Sequence, residues 1–268
     1  FTSGDTVQGN LTLNGIFTSY QFIRKAPVPV DYSFFNDAEL ETITGADLSR
    51  KYPLSERFTG RTKTGYNLVL IILESWGAHY LDSFNRKGPG ITENFDRIAE
   101  NGLRFTNFYA MGRWSLYGIQ AIMTGIPTLQ AIPMIGNGLE VSAISKLGEI
   151  ARTNGYRTIF VQSSRRRSFR LDSVARSLGF EEMYGMEDIP VVYAYPEESR
   201  PKFGWDYDTF LFLLDKLNEE TGAPFLATVF TGTTHVPFVK INDRFEVFPH
   251  NDNGWEGFLN TLKYSDWS

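Results

Sequence analysis

The 268-residue chain contains no cysteine, which removes disulfides, zinc-thiolate sites and thiolate nucleophiles together. Histidine is scarce. His79, His235 and His250 are the only three, so a three-histidine zinc site would consume all of them, and a metal centre is expected to be rich in oxygen ligands. No stretch approaches the roughly 20 apolar residues that span a bilayer, and no signal peptide opens the chain. The first residue is Phe1, which points to a processed product or an excised domain whose membrane segments would lie outside these residues. The net charge is −5, with no long lysine- or arginine-rich face, and this excludes nucleic acid as an expected partner.

What is present is the composition of a folded protein: 42% hydrophobic residues and 15% aromatics supply enough apolar surface for a large core. Asn67 to Trp76 reads NLVLIILESW. Its continuous apolar run predicts a strand over Leu68 to Leu73 buried on both faces. The run ends in Glu74 and Ser75, and the carboxyl edge of such a sheet is where open α/β folds place their chemistry.

Further on, Thr92 is positioned to cap a helix through Glu100, and LRFTNFY (Leu103 to Tyr109) alternates as a strand. Ser115 stands at a glycine-flanked turn before an apolar helical segment. Ser142 is expected to cap a helix through Thr153, followed by a strand over Tyr156 to Val161. Asp206 opens an amphipathic helix that runs toward Gly222, and Pro224 to Phe230 supplies another strand. The last residues, GWEGFLNTLKYSDWS, begin a further helix. This β-then-α rhythm predicts an α/β fold, a mainly parallel sheet with helices on both faces. Residues 1–66, with a short helix near Asn14 to Arg24, are expected to form an N-terminal arm, and residues 67–268 one domain.

An acid at a strand end and a hydroxyl at a helix start suggest a metal and a nucleophile. Ser115 at a helix N-terminus would sit beside unpaired N–H groups and the positive end of the dipole, which favours an alkoxide or a bound phosphate. Its bland alternative is an N-cap. GxSxG is absent, which argues against a serine hydrolase; a divalent ion shared with Glu74 is the alternative means of activation. His235, in TTHVPF beyond the Leu226–Phe230 run, is either an uninvolved loop residue or a donor to a phosphate oxygen or leaving group. Arg165, Arg166 and Arg167 follow another strand, as a solvated loop or an anion clamp. Trp205 and Asp206 would line a pocket, or Asp206 would simply cap its helix. His79 and His250 read as loop residues.

Several segments together resemble the alkaline-phosphatase/sulfatase superfamily and, within it, the lipoteichoic acid synthase-like phosphoglycerol transferases. They are NLVLIILESW, TENFDRIAENGLRFTNFYA, G-x-x-S-x-x-G-x-x-A-x-x-T-G-x-P from Gly112 to Pro127, FGWDYDTF and TTHVPF. The resemblance implies that Glu74 is a metal ligand. Ser115 takes the place of the nucleophile, usually threonine, which also ligates the metal, and His235 that of the substrate-phosphate histidine. It implies a divalent cation, manganese first, with zinc and magnesium as alternatives.

It further implies attack on a membrane phospholipid's head-group phosphodiester, at the extracytoplasmic (periplasmic or cell-surface) face of the bacterial cytoplasmic membrane. Diacylglycerol would leave, a covalent phosphoglycerol ester would remain on Ser115, and an acceptor alcohol would take the group. The chain departs from the pattern in three places. Trp114 stands where relatives often carry arginine, with Arg113 displaced by one. Arg170 falls between Phe169 and Leu171, the positions that in relatives read the head group. The later Asp-His pair of metal ligands has no counterpart before Ser268, so the domain is expected to be partial.

A sulfatase activity is disfavoured, because Ser115 is followed by Leu116, Tyr117 and Gly118 and not by the x-P-x-R that formylglycine formation needs. The substrate-binding set is thus His235, Arg113, Trp114, Arg170 and Trp205. The alternatives are a phosphoethanolamine transferase or phosphodiesterase of the same superfamily, and a catalytically silent lipid-sensing or partner-binding domain.

Overall fold

The computed structural model describes residues 33–50, 64–85, 88–129 and 134–268. The helix expected near Asn14 to Arg24 lies outside them. Among the described residues the sheet comprises β1 (Leu68–Ile72), β2 (Arg157–Gln162), β3 (Glu182–Tyr184) and β4 (Phe225–Phe230). The helices are α1 (Asp37–Thr44), α2 (Glu93–Glu100), α3 (Ser115–Thr124), α4 (Leu147–Thr153), α5 (Leu171–Ser177), α6 (Asp206–Leu217) and α7 (Trp255–Trp267).

The sheet order is β1-β4-β2-β3 and every pairing is parallel, with Ile72 opposite Phe230 and Phe230 opposite Gln162. All four carboxyl ends therefore open on one edge.

Alternation along the two middle strands divides the core. Phe160 of β2 and Leu226 and Phe230 of β4 pack with Ile119 and Met123 of α3, Ala151 of α4 and Val174 of α5. Ile159, Val161, Ala227 and Val229 face the other way, onto Leu213 of α6. Helices thus cover both faces, as the β-α rhythm predicts. Each fully buried aliphatic side chain contributes about 2 kcal/mol through removal from water.

Four local expectations are corrected. The apolar run of β1 is not buried on both faces. The strand order puts β1 at an edge, and Leu68, Val69 and Ile71 are each about half exposed; β2 and β4 are the doubly covered strands. Leu103 to Tyr109 is irregular and exposed, because alternation makes a strand only where a neighbouring edge accepts it. Ser142 closes a 3₁₀ turn at Leu139–Val141, and α4 begins only at Leu147. Thr92 precedes α2, yet its hydroxyl donates to Asp96 Oδ2 at 3.0 Å and caps no amide of the helix.

The closing segment, by contrast, forms a full helix. α7 buries Phe258, Leu259, Leu262 and Tyr264 among its thirteen residues.

Candidate active site

At the carboxyl edge, Glu74 follows β1 by two residues and Ser115 is the first residue of α3. The Ser115 hydroxyl donates to Glu74 Oε2 at 2.7 Å, and the Ser75 hydroxyl donates to Glu74 Oε1 at 3.0 Å. Both carboxylate oxygens therefore hold a hydroxyl. Ser115 does not cap α3; the N-cap is Trp114, in extended conformation and with no side-chain hydrogen bond. The hydroxyl is thus free of the capping role, and it lies where the unpaired N–H groups of the first turn favour negative charge on an attacking or bound oxygen.

The main chain of Glu74 is gripped by the segment after β4. Thr231 N donates to Ile72 O at 3.1 Å, and Glu74 N donates to Thr231 Oγ1 at 2.9 Å. The Thr234 hydroxyl donates to Glu74 O. Ser75, next along, has φ of 60°, a left-handed conformation that costs a non-glycine residue about 1–2 kcal/mol. Phe169 and Arg170 share it, each with φ of 57°. Strained backbone of this kind gathers where structure is held for function.

A cleft of about 450 Å³ is lined by Glu74, Arg113, Trp114, Ser115, Phe169 and His235, together with Phe238 and Phe258. The His235 ring lies against Phe203, tilted by 36° with centroids 3.8 Å apart, and Phe203 stacks on Phe169 at 5.9 Å. His235 Nδ1 lies 2.7 Å from the carbonyl oxygen of Val236. A carbonyl only accepts, so Nδ1 carries the proton, and Nε2 is left to accept from a substrate or, when protonated, to donate to one. Arg113 makes no ion pair among the described residues.

The structure brings together Glu74, Ser115, His235, Arg113 and Trp114. It does not bring Trp205 or Arg170 to the cleft lining. Trp205 is buried, stacked on Tyr195 at 3.9 Å with the two rings nearly parallel, and it lines a separate cavity with Ser163, Met186 and Arg200. Arg170 Nη1 donates to the Gly136 carbonyl at 3.2 Å. Of the basic triplet, Arg166 is held by Asp188. His79 is exposed beside Tyr80, and His250 is tied between Glu246 and Asp252. Sequence reasoning missed Ser75, Thr231, Thr234 and Phe203, whereas Phe169, one of the positions that the resemblance connects with the head group, lines the cleft. The threonine cluster beyond β4 was the available signal, since hydroxyls at a strand's carboxyl end face the same edge as Glu74.

Among the described residues no group of three or more His, Cys, Asp or Glu side chains is placed to hold a metal ion. The donors at the site are the Glu74 carboxylate and the Ser75 and Ser115 hydroxyls. In kind, oxygen donors suit a hard divalent cation. In number, they fall short of the roughly four to six ligands such a cation takes.

The chain belongs to the sulfatase family, whose model matches residues 66–268. Phosphoglycerol transferase I of Escherichia coli O139:H28 is 29% identical over 226 residues, covering 75% of this chain and 29% of that protein; the chain spans under a third of that relative's length. The lipoteichoic acid synthase LtaP from Listeria monocytogenes superposes with a TM-score of 0.65 at 15% identity, over 87% of this chain and 56% of that one. The C-terminal periplasmic domain of EcEptC from Escherichia coli, a complex with Zn, gives 0.55 at 15% identity, over 77% and 57%. These likenesses establish the alkaline-phosphatase-like fold. Among the described residues no helix is long and apolar enough to cross a membrane.

Proposed function

We propose that the chain carries the nucleophile half of a phosphoglycerol transferase. The enzyme would take a phosphoglycerol group from a membrane phospholipid, at the extracytoplasmic face of the bacterial cytoplasmic membrane, and pass it to an acceptor alcohol. The observation that carries the reading is the 2.7 Å hydrogen bond from the Ser115 hydroxyl to Glu74 Oε2 at the sheet's carboxyl edge. The similarity to phosphoglycerol transferase I supports the head group.

Ser115 Oγ attacks the phosphorus of the head-group phosphodiester, and its proton passes to Glu74, which already accepts it. The bond from phosphorus to the diacylglycerol oxygen breaks. His235, protonated at Nε2, gives that oxygen a proton, while Arg113 and the first-turn amides of α3 balance the phosphate charge. A second alcohol then attacks the serine ester and gives its proton to His235 Nε2, the displaced Ser115 oxygen takes back its proton from Glu74, and phosphoglycerol leaves on the acceptor. Trp114, Phe169 and Phe238 give the cleft an apolar wall beside the reacting groups.

Glu74 and Ser115 would hold a divalent cation, manganese first and zinc or magnesium as alternatives, together with ligands beyond those described. When bound, such an ion neutralises phosphate charge and lowers the hydroxyl's pKa.

The test is incubation of the whole parent protein with vesicles of phosphatidylglycerol, in the presence of manganese. Diacylglycerol release and a phosphoglycerol adduct on Ser115 are expected, both lost in Ser115→Ala by about 10⁴-fold or more. Release from phosphatidylethanolamine vesicles alone would replace the reading with a phosphoethanolamine transferase. Turnover without transfer to an alcohol would make it a phosphodiesterase. An inactive wild type whose cellular role survives Ser115→Ala would make the chain a lipid-sensing or partner-binding domain.

A further inference from the structure

Asp206 is wholly buried, opens α6, and caps nothing in its own helix; the N-cap there is Trp205. Its carboxylate faces the ends of the middle strands. Oδ1 accepts from Gly232 N at 2.8 Å, from Thr233 N at 3.1 Å and from the Ser163 hydroxyl at 3.3 Å. Oδ2 accepts from the Ser265 hydroxyl of α7 at 2.7 Å. In return Asp206 N donates to Thr233 Oγ1 at 2.9 Å.

The approach is close enough to demand glycine on both sides. A Cβ at Gly204 would lie 2.0 Å from Ser163 O, and one at Gly232 would lie 2.1 Å from Phe203 O. Asp206 forms no ion pair among the described residues, and burial pushes its carboxyl up from the ordinary range while hydrogen bonds with Gly232, Ser265 and Thr233 pull it back. An unpaired carboxyl in the interior is costly unless its hydrogen bonds do something the fold needs.

What they hold is the segment that holds Glu74. Gly232 and Thr233 lie between Thr231, whose hydroxyl takes the N–H of Glu74, and Thr234, whose hydroxyl donates to the Glu74 carbonyl. We propose that Asp206 is the positioning residue for the Glu74–Ser115 pair: by fixing Gly232 and Thr233 it sets the two threonines on either side of the Glu74 main chain. The assignment rests on the reading of Ser115 as nucleophile and Glu74 as its partner. A plain helix-start role for Asp206 would touch α6 alone.

The experiment is residue-resolved amide hydrogen exchange by NMR on the 268-residue chain, comparing wild type, Asp206→Asn, Thr231→Val and Ser265→Ala. Asp206→Asn replaces the charged acceptor with a neutral amide, whose oxygen binds Gly232 N and Thr233 N more weakly and whose nitrogen can no longer accept from Ser265, so exchange at Gly232, Thr233 and Glu74 is expected to accelerate about tenfold or more, with Ile159 to Val161 unchanged. Thr231→Val should accelerate Glu74 while sparing Gly232 and Thr233. Acceleration confined to the first turn of α6, or to Gly232 and Thr233 with Glu74 at its wild-type rate, overturns the proposal.

Should Asp206→Asn not fold, Ser265→Ala removes one donor from Oδ2 and is expected to give a smaller acceleration at the same three amides; none there overturns it equally. In the parent protein, Asp206→Asn should lower kcat about a hundredfold and leave KM within a factor of about three, and an unchanged kcat counts against it. A wild type that transfers no head group sinks the functional reading alone, because the exchange pattern decides the clamp without any turnover.

Discussion

Asp266 supplies the cap that Thr92 does not: its Oδ2 accepts from Asn94 N at 3.0 Å and its Oδ1 from Phe95 N at 2.8 Å, so a residue of α7 closes the first turn of α2. The Asn94 amide also donates to the Asp266 carbonyl and carboxylate. Two unpaired donors of α2 are thereby satisfied across 171 and 172 residues of chain.

Replacing Asp266 by alanine is expected to cost about 1–2 kcal/mol, as loss of an ordinary N-cap does. The loss should appear as a lower urea midpoint, together with faster amide exchange at Asn94 and Phe95. Thr92→Val should leave those two amides unchanged; if they also speed up, the capping role belongs to Thr92 and not to Asp266.

The other end of the sheet gives a pH-dependent element. Arg157 Nε and Nη2 reach the two oxygens of Glu182 at 2.5 and 2.9 Å, pairing β2 with its neighbour β3. The Arg157 hydrogen bond, ahead of the opposing cost of burial, holds the Glu182 carboxyl below its ordinary value of 4.5. A depressed carboxylate contributes stability that is fully present above its unfolded pKa and is lost as pH falls through the lower, folded one. Glu182→Gln should therefore lower stability by about 1–2 kcal/mol at neutral pH. The deficit should shrink as pH drops below about 4.5. Denaturant titrations at pH 7 and pH 3 read this directly, and equal deficits at both would refute it.

At the site itself, strain and function are set against each other. Ser75→Gly removes the left-handed penalty at φ 60° and should raise stability by about 0.5–1 kcal/mol after the added freedom of the unfolded chain is counted. It also removes the hydroxyl that holds Glu74 Oε1. A higher melting temperature with slower head-group transfer is the expected result; a variant both more stable and equally fast would show that Ser75 does not steady Glu74.

Much of this was legible in the amino-acid order. The apolar runs before Glu74 and before His235 end where the strands end, and parallel pairing then carries both carboxyl ends to one edge. Ser115 opens its helix because the glycine-bearing turn before it breaks what precedes.

What stayed hidden depends on distance along the chain. Asp206 looks like a cap from its neighbours, and only the folded sheet brings Gly232, Ser163 and Ser265 to its oxygens. Asp266 cannot be recognised as the cap of a helix that begins at Glu93. The alternation of Leu103 to Tyr109 carries the same period as a strand, but periodicity says nothing about whether a partner edge exists. The burial of Trp205 was hidden for the same reason, since Tyr195 and Tyr264 are recruited from opposite sides.

β1 leaves a practical mark on the isolated chain. One of its margins pairs with β4, and the other has no strand beside it among the described residues, while Leu68, Val69 and Ile71 stay half exposed. A strand margin whose hydrogen-bonding groups meet no further strand among the described residues, flanked by apolar side chains, is adhesive. On the bench, concentration will therefore govern the behaviour of this polypeptide as much as temperature does, and a lysine at position 69 is the single change that would make it easier to keep as separate molecules.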